Sequence, residues 1–325
     1  MIVVPILEVA GGLGLLLVGG EFLLRGAVAL ARRFGLPHLL IGLTVVAAAT
    51  SMPEMVVTVA TGLEGVPDVG VGNVIGSNIA NVLLILGAAA LLFPIRTKPR
   101  DMARDCAAVL IATAIFVFFA IMGSFRWYHG VVMFALLVGY IGYSYMEERR
   151  RQRAALGDPD PAEGEDIEVP SSCKVALALV GIGVGGLAVG SELLVKGAVS
   201  IARAAGVSEA VIGLTLVAIG TSLPELATSI VAGIRHHSEV ALGNVLGSNL
   251  FNILAVLAAL SITIPFTVAA ELIMVDIWVM VGATVLLIPI MATKWRIGRF
   301  EGGFFLVLYG SYIAWQFYRM PVGAS

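Results

Sequence analysis

The chain has 325 residues, 59% of them hydrophobic and 13% charged, with a mean hydropathy of +0.98 and a formal net charge of −2. Soluble domains carry about 45–50% apolar and about 25% charged residues, so this composition excludes a water-soluble protein and defines an integral membrane one. The net charge says nothing by itself; no nucleic-acid partner is expected, and two cysteines, Cys106 and Cys173, cannot build a disulfide framework.

A bilayer crossing takes about 20 apolar residues. Such stretches are predicted near 2–30, 38–63, 69–93, 104–122 and 128–146, and again near 173–201, 209–233, 239–263, 269–291 and 299–318. None alternates with period two, so all ten read as helices and not as strands of a barrel. The first stretch opens without a basic segment or a small-residue cleavage signal, and is expected to be a retained helix and not a signal peptide. Between the fifth and sixth stretches lies the hydrophilic segment EERRRQRAALGDPDPAEGEDIEVPSS, residues 147–172. Its acidic run lacks the spacing of a cation-sensing loop and reads as a solvated linker. The expected organisation is a first repeat over 1–146, a linker over 147–172 and a second repeat over 173–325. With the N-terminus outside, sixteen of the twenty Lys and Arg residues fall at cytoplasmic ends; Arg126, Lys196, Arg203 and Arg319 fall outside. That asymmetry obeys the positive-inside rule, and it puts both termini outside and the linker in the cytoplasm.

Two segments of the chain are near-copies of two others. IGLTVVAAATSMPE at 41–54 and IGLTLVAIGTSLPE at 212–225 agree at ten of fourteen positions. GNVIGSNIANV at 72–82 and GNVLGSNLFNI at 243–253 repeat at the same offset of 171, which extends upstream to Glu21/Glu192 and Gly26/Gly197. A duplication of half the chain accounts for this. Each half holds five predicted spans, an odd number, so the copies must lie upside-down relative to each other, the inverted-repeat plan of many secondary transporters. The expected fold class is therefore all-α and integral to the membrane: ten transmembrane helices as two inverted five-helix repeats, with helices two and seven broken. The breaks follow from Pro53 and Pro224. A proline inside a helix removes a backbone hydrogen bond and clashes with the carbonyl four residues back, here that of Ala49 or Gly220. Freed carbonyls survive at membrane depth only where they face protein or a polar cavity.

The duplicated motifs are rich in oxygen donors. Glu54 and Glu225 are the carboxylates expected nearest the centre of any span, where a charge costs about 2.5–3.5 kcal/mol and marks a functional candidate. No Lys or Arg is expected at their depth. Around them come the hydroxyls of Thr50, Ser51, Ser77, Thr221, Ser222 and Ser248, the amides of Asn81 and Asn252, and the freed carbonyls. Such a hard, all-oxygen shell suits calcium, which takes about 6–8 oxygens, or sodium, which is of similar size. Neither motif offers a thiol or an imidazole, which disfavours a softer metal. Ser51 and Glu54 are spaced i, i+3, and Ser77 and Asn81 i, i+4, so each pair shares a helix face. Gly72, Gly76, Gly243 and Gly247 read as close packing between helices. Asn73, Asn78, Asn244 and Asn249 read as partners for broken helix ends, and Glu21 and Glu192 as solvated residues near span ends.

With GLTVVAAATSMPE…GNVIGSN…N and GLTLVAIGTSLPE…GNVLGSN…N in hand, the chain resembles the calcium:cation antiporter superfamily, and within it the prokaryotic sodium/calcium exchanger-like proteins. The resemblance covers essentially the whole chain. It implies a core of spans two, three, seven and eight that holds the ions, and a long tilted pair, spans one and six, that slides against this core. It also implies ion ligands at Thr50, Ser51, Glu54 and Ser77, at Thr221, Ser222, Glu225 and Ser248, and at the backbone carbonyls of Ala47 and Ala218. The family often has Gly before Thr-Ser in both repeats; here the first repeat has Ala49 and the second Gly220. Ala favours helix over Gly by about 0.8–1.0 kcal/mol, so the first break is expected to be tighter. Asn81 and Asn252 stand where some members carry the Asp of potassium-dependent relatives, which argues against potassium co-transport.

The implied function is secondary active exchange of sodium for calcium by alternating access, in the inner membrane of a prokaryote. Ca2+ and Na+ are substrates; no enzymatic activity and no resident cofactor are expected, and the oligomeric state is not set by the sequence, a monomer being plausible. Glu54 and Glu225 could equally carry protons, so a proton/calcium exchanger on the same fold stays open. A cation channel is a remote alternative, since it does not need inverted breaks. An intramembrane phosphatase is another, but it needs a basic residue to hold phosphate, and neither motif has one.

Overall fold

The computed structural model describes residues 3–35, 38–96, 99–154, 172–204, 218–294 and 296–319, and they form a bundle of helices. In chain order these are α1 (Val3–Phe34), α2 (His38–Ile41), α3 (Ala47–Thr50), α4 (Met52–Leu63), α5 (Pro67–Ala80), α6 (Gly87–Leu92), α7 (Pro99–Met122) and α8 (Trp127–Ala154). After the linker come α9 (Cys173–Ala204), α10 (Ala218–Thr221), α11 (Leu223–Ile234), α12 (Ser238–Phe251), α13 (Leu257–Thr263), α14 (Ile277–Lys294) and α15 (Arg299–Arg319). Seven helical stretches among the described residues are long and apolar enough to cross a membrane, and eight if the bent pair Gly42–Thr50 and Met52–Leu63 counts as one. A helix satisfies its own backbone groups, which is why apolar segments of this length fold this way in lipid. The stretch expected at 209–233 lies partly outside the described residues. The one expected at 299–318 forms the 21-residue α15.

The duplication is visible in the element boundaries. Shifting α4 by 171 residues gives the bounds of α11, and shifting α5 gives those of α12. Each of α5 and α12 runs into a π-helical stretch, Asn81–Leu86 and Asn252–Val256, before continuing as α6 and α13. Two-residue strands β1 (Ile95–Arg96), β2 (Ser124–Phe125), β3 (Phe266–Thr267) and β4 (Arg296–Ile297) close the ends. β1 pairs antiparallel with β4 in the register Ile95↔Ile297, and β2 with β3 in the register Phe125↔Phe266, so each pair joins one repeat to the other. The offset is 171 between β1 and β3 and 172 between Phe125 and Ile297, the ends of β2 and β4, which places a one-residue insertion in the second copy between them.

α1 and α9 are both 32 residues long and run antiparallel. Glycine recurs every seventh residue on each, at 12, 19 and 26 and at 183, 190 and 197. A Cβ on Gly19 would lie 2.8 Å from the Leu187 nitrogen, one on Gly26 2.7 Å from the Ala176 oxygen, and one on Gly197 2.6 Å from the Pro5 oxygen. The bare glycines let the two backbones touch, the small-residue packing that substitutes for a hydrophobic driving force between helices in lipid. The most apolar stretch of each helix is only 22% buried, against 78% in Pro67–Leu92 and 83% in Ser238–Thr263. The α1–α9 pair is thus an outer layer, and α5 and α12 with their π-helical extensions are the centre.

Sequence reasoning put Glu21 near a span end in water, and the structure corrects this. Glu21 is the nineteenth residue of α1, its side chain is 19% exposed, and it pairs with Arg25 and Arg235. Its charge is tolerated because two guanidinium groups meet it. Two more buried carboxylates also went unread. Asp105 accepts from the Tyr140 hydroxyl at 2.6 Å and pairs with Arg104. Asp276 accepts from the Tyr312 hydroxyl at 2.8 Å and from Gln316. These are counterparts at offsets of 171 and 172, and each ties two neighbouring helices together.

Candidate functional site

The two breaks fall at Ser51 (φ −83°, ψ 5°) and Ser222 (φ −92°, ψ 6°). Helix resumes at the next residue, so Pro53 and Pro224 sit in the first turn of α4 and α11. A first-turn N–H has no intrahelical acceptor, so proline is tolerated there. In the first repeat the segments on either side are bent by 46°. Ser51 N–H still reaches the Ala47 carbonyl at 2.9 Å, whereas Ser222 N–H reaches Ile219 in a tighter turn at 3.0 Å. The Gly220 carbonyl freed by Pro224 accepts from the Ser191 hydroxyl of α9. Thr50 Oγ1 lies 3.3 Å from the Ala47 carbonyl, which its one proton can reach only in place of Asn244 Oδ1 at 3.2 Å. Ala218 is the first residue of α10.

Around the breaks, each copy reaches into the other. Ser51 donates to Glu225 Oε1 at 3.3 Å, and Ser222 lies 3.4 Å from Glu54 Oε1 and 3.3 Å from Ser77 Oγ. One hydroxyl proton cannot serve both of the last two at once. Thr50 Oγ1 is 3.5 Å from Ser248 Oγ. Glu54 and Glu225 are fully buried, and among the described residues no cation pairs with either. Their second oxygens, Glu54 Oε2 and Glu225 Oε2, are buried without a hydrogen-bond partner. A buried carboxylate oxygen in that condition is strongly destabilising unless a positive charge meets it.

Thr50, Ser51, Glu54, Ser77, Ser222, Glu225 and Ser248 thus come together in one buried network. Thr221 stands beside it, its hydroxyl donating to Asn73 Oδ1 at 3.3 Å, while Asn73 in turn reaches Thr58, outside this network. Asn81 and Asn252 each open a π-helical stretch. Asn81 Nδ2 donates to Asn249 Oδ1 at 3.0 Å and leaves Asn81 Oδ1 unpartnered, while neither polar atom of the buried Asn252 has a hydrogen-bond partner. π-Helical irregularities of this kind cluster at functional sites. Among the described residues no group of three or more His, Cys, Asp or Glu side chains gathers as a metal cluster. The donor set is instead two carboxylates with hydroxyls and amides, which fits a hard, s-block cation.

The reading of these amides as partners for broken helix ends holds for Asn244, which meets Thr50, the last residue of α3, and Glu225, in the first turn of α11; which hydroxyls Asn73 and Asn244 meet was not foreseen. Asn244 Oδ1 accepts from Thr50 Oγ1 at 3.2 Å, and its Nδ2 lies 3.1 Å from Ser229 Oγ and 3.3 Å from the Glu225 carbonyl. Asn73 repeats this pattern, with Thr221 at 3.3 Å and Thr58 at 3.4 Å. Thr58 and Ser229 are themselves a pair at offset 171, one helical turn beyond each glutamate. That spacing was the available signal. The packing reading of the glycines holds for Gly247, where a Cβ would run into the Leu43 carbonyl and Ala47, and not for Gly76, where a Cβ meets nothing within 4 Å, or Gly72, where it meets only Leu272 at 3.9 Å.

A buried, crossed pair of carboxylates in an oxygen shell on duplicated, broken helices defines an ion-translocating membrane protein. The family described as sodium/calcium exchanger protein matches residues 5–146 and 175–318. CaxA of Alkalimonas amylolytica is 36% identical over 93% of this chain and 95% of its own length. The sodium/calcium exchanger MaX1 of Methanosarcina acetivorans is 29% identical over 98% of this chain and all of its own length. A solved structure of the sodium-calcium exchanger NCX_Mj, soaked with Na+ and Sr2+, superposes with a TM-score of 0.80 at 34% identity, covering 97% of this chain and 99% of that one. The chain belongs to the sodium/calcium exchanger family, a family of transporters and not of enzymes.

Proposed function

We propose that this protein exchanges sodium for calcium across the inner membrane of a prokaryote by alternating access. The observation that carries the reading is the crossed Glu54–Glu225 pair, each carboxylate bound through one oxygen to the other repeat's serine and leaving its second oxygen without a partner. Two carboxylates give the site a formal charge of −2, which one calcium ion neutralises. Thr50, Ser51, Ser77, Thr221, Ser222, Ser248, Asn81, Asn252 and the carbonyls of Ala47 and Ala218 would complete the shells of calcium or sodium. Because both ions need the same carboxylates, full loads of each exclude one another, and that competition enforces exchange. A loaded site is neutral and can pass between the two faces; an empty one carries its uncompensated charge and cannot.

In this reading the chain has ten transmembrane helices as two inverted repeats, over 1–146 and 173–325, with the 147–172 linker in the cytoplasm and both termini outside. The antiparallel run of α1 against α9 and the cross-repeat strand pairs support the inversion. α1 and α9 form the sliding pair. Glu54→Gln or Glu225→Gln should lower the initial rate of sodium-driven calcium-45 uptake by at least about a hundredfold, since each removes half of the charge that holds calcium. The melting temperature should hold or rise, because the substitution removes a buried charge. Uptake that survives in either folded variant would overturn the assignment.

A further inference from the structure

We infer that the Glu21–Arg235 ion pair is a latch that holds α1 on α11 and biases the protein toward the conformation seen here, an inference that rests on the sliding pair proposed above. Glu21 Oε1 lies 2.8 Å from Arg235 Nη2, and Glu21 Oε2 lies 3.1 Å from Arg235 Nε, so the contact is two-pronged. Two-point guanidinium–carboxylate contacts are the stronger and more directional kind. Arg25, one turn along α1, adds a third contact at 2.7 Å and fixes the carboxylate in place. Arg235 is the C-cap just beyond α11, so the latch joins the outer helix pair to the tip of a half-helix whose other end carries Glu225.

The packing beside the latch is one-sided in the same sense. α1 lies along α11, where a Cβ on Gly20 would meet Val231 at 3.2 Å. Ala227 is 8% exposed and Val231 5%. Their counterparts on α4 are Val56, which is 65% exposed, and Ala60, which is also exposed. The outer pair therefore covers α11 and leaves the matching face of α4 open. By the positive-inside orientation, the covered end is the cytoplasmic one.

The counterpart residues make the latch unequal between the two repeats. Glu21 corresponds to Glu192 and Arg25 to Lys196, so the outer helices carry the same charges in both copies. Arg235, however, corresponds to Glu64, an exposed acidic residue. If the outer pair slid to cover α4 as it now covers α11, Glu192 would approach Glu64 and not an arginine. The alternative conformation would lose an ion pair and gain a like-charge contact. Lys196 already pairs with Glu8 of α1 at 2.9 Å, a contact inside the sliding unit that need not break. The latch thus makes the cytoplasm-closed conformation the resting one.

The test is a distance measurement by pulsed electron resonance between spin labels at Phe34→Cys and Ile234→Cys, with Cys106 and Cys173 replaced by Ala, in the full chain in lipid nanodiscs. Arg235→Gln and Glu21→Gln should each raise the population of the longer distance by about three- to tenfold. The exchange Glu21→Arg with Arg235→Glu should restore the original distribution. Glu64→Arg, at an exposed position far from the latch, should raise the longer-distance population by itself, because it gives Glu192 a partner. An unchanged distribution in Arg235→Gln, or in Glu64→Arg, would overturn the latch. The distances need no transport, so a protein that shifts as described but moves no calcium would sink the proposed exchange and leave the latch standing.

Discussion

At the scale of single residues, Thr50 is held by a side chain of the other repeat. Asn244 gives Thr50 Oγ1 an acceptor, fixes Ser229 and touches the Glu225 carbonyl, all from a fully buried position. Asn244→Leu should therefore leave buried polar groups without partners and cost about 1–3 kcal/mol of stability. It should also raise the calcium KM by several-fold, because Thr50 and the Glu225 backbone lose their anchor. Asn73→Leu should do less on both counts, since its bonds, at 3.3 and 3.4 Å, are longer and only partly buried. Thermal unfolding and calcium-45 kinetics on the two variants check the ranking; a larger effect at Asn73 would contradict it. Glu54, Glu225 and their serines were legible in the sequence because charge in an apolar run is costly and so is conspicuous. The asparagines were legible as partners for the broken helix ends, but not the hydroxyls they meet, because only the fold brings the other repeat's threonine to each amide.

At the scale of elements, the backbones of α1 and α9 meet closely at their glycines. A Cβ on Gly183 would lie 2.5 Å from the Leu23 nitrogen and 2.8 Å from the Gly19 oxygen. Gly183→Leu should force the helices apart, lower the melting temperature by several degrees and slow exchange, because overpacking a tight contact typically costs about 1–3 kcal/mol. Gly185→Leu, where a Cβ meets nothing within 4 Å, is the control that should change little. Equal effects from both would remove the glycine contact as the cause. The heptad of glycines is plain in the sequence once α1 and α9 are aligned, and it predicts a tight helix pair. The π-helical stretches that begin at Asn81 and Asn252 carry no such signal, because NVLLIL and NILAV are apolar almost throughout, so a shift of helical phase leaves no mark in the pattern. The proline breaks were legible as breaks. Their position at Ser51 and Ser222, two residues before each proline, was not, since the proline rule names the lost bond and not where the chain restarts.

At the scale of the whole molecule, the two copies share a plan but not a set of contacts. The outer pair covers α11 and exposes α4, and Arg235 stands where its counterpart is Glu64. The shared plan was legible from the 171-residue offset, which recurs between the bounds of α4 and α11 and of α5 and α12. The unequal packing was not legible, because near-identical segments give no hint of which copy is covered. What unites the scales is the claim that two buried carboxylates take calcium or sodium in turn. The most direct measurement is calcium-45 uptake into proteoliposomes preloaded with sodium and diluted into sodium-free buffer at equal pH, beside vesicles that carry only a proton gradient. Uptake driven by the sodium gradient, and lost in Glu225→Gln, is the expected result. Uptake driven by protons alone, with none from sodium, would contradict it and make the same fold and site those of a proton/calcium exchanger.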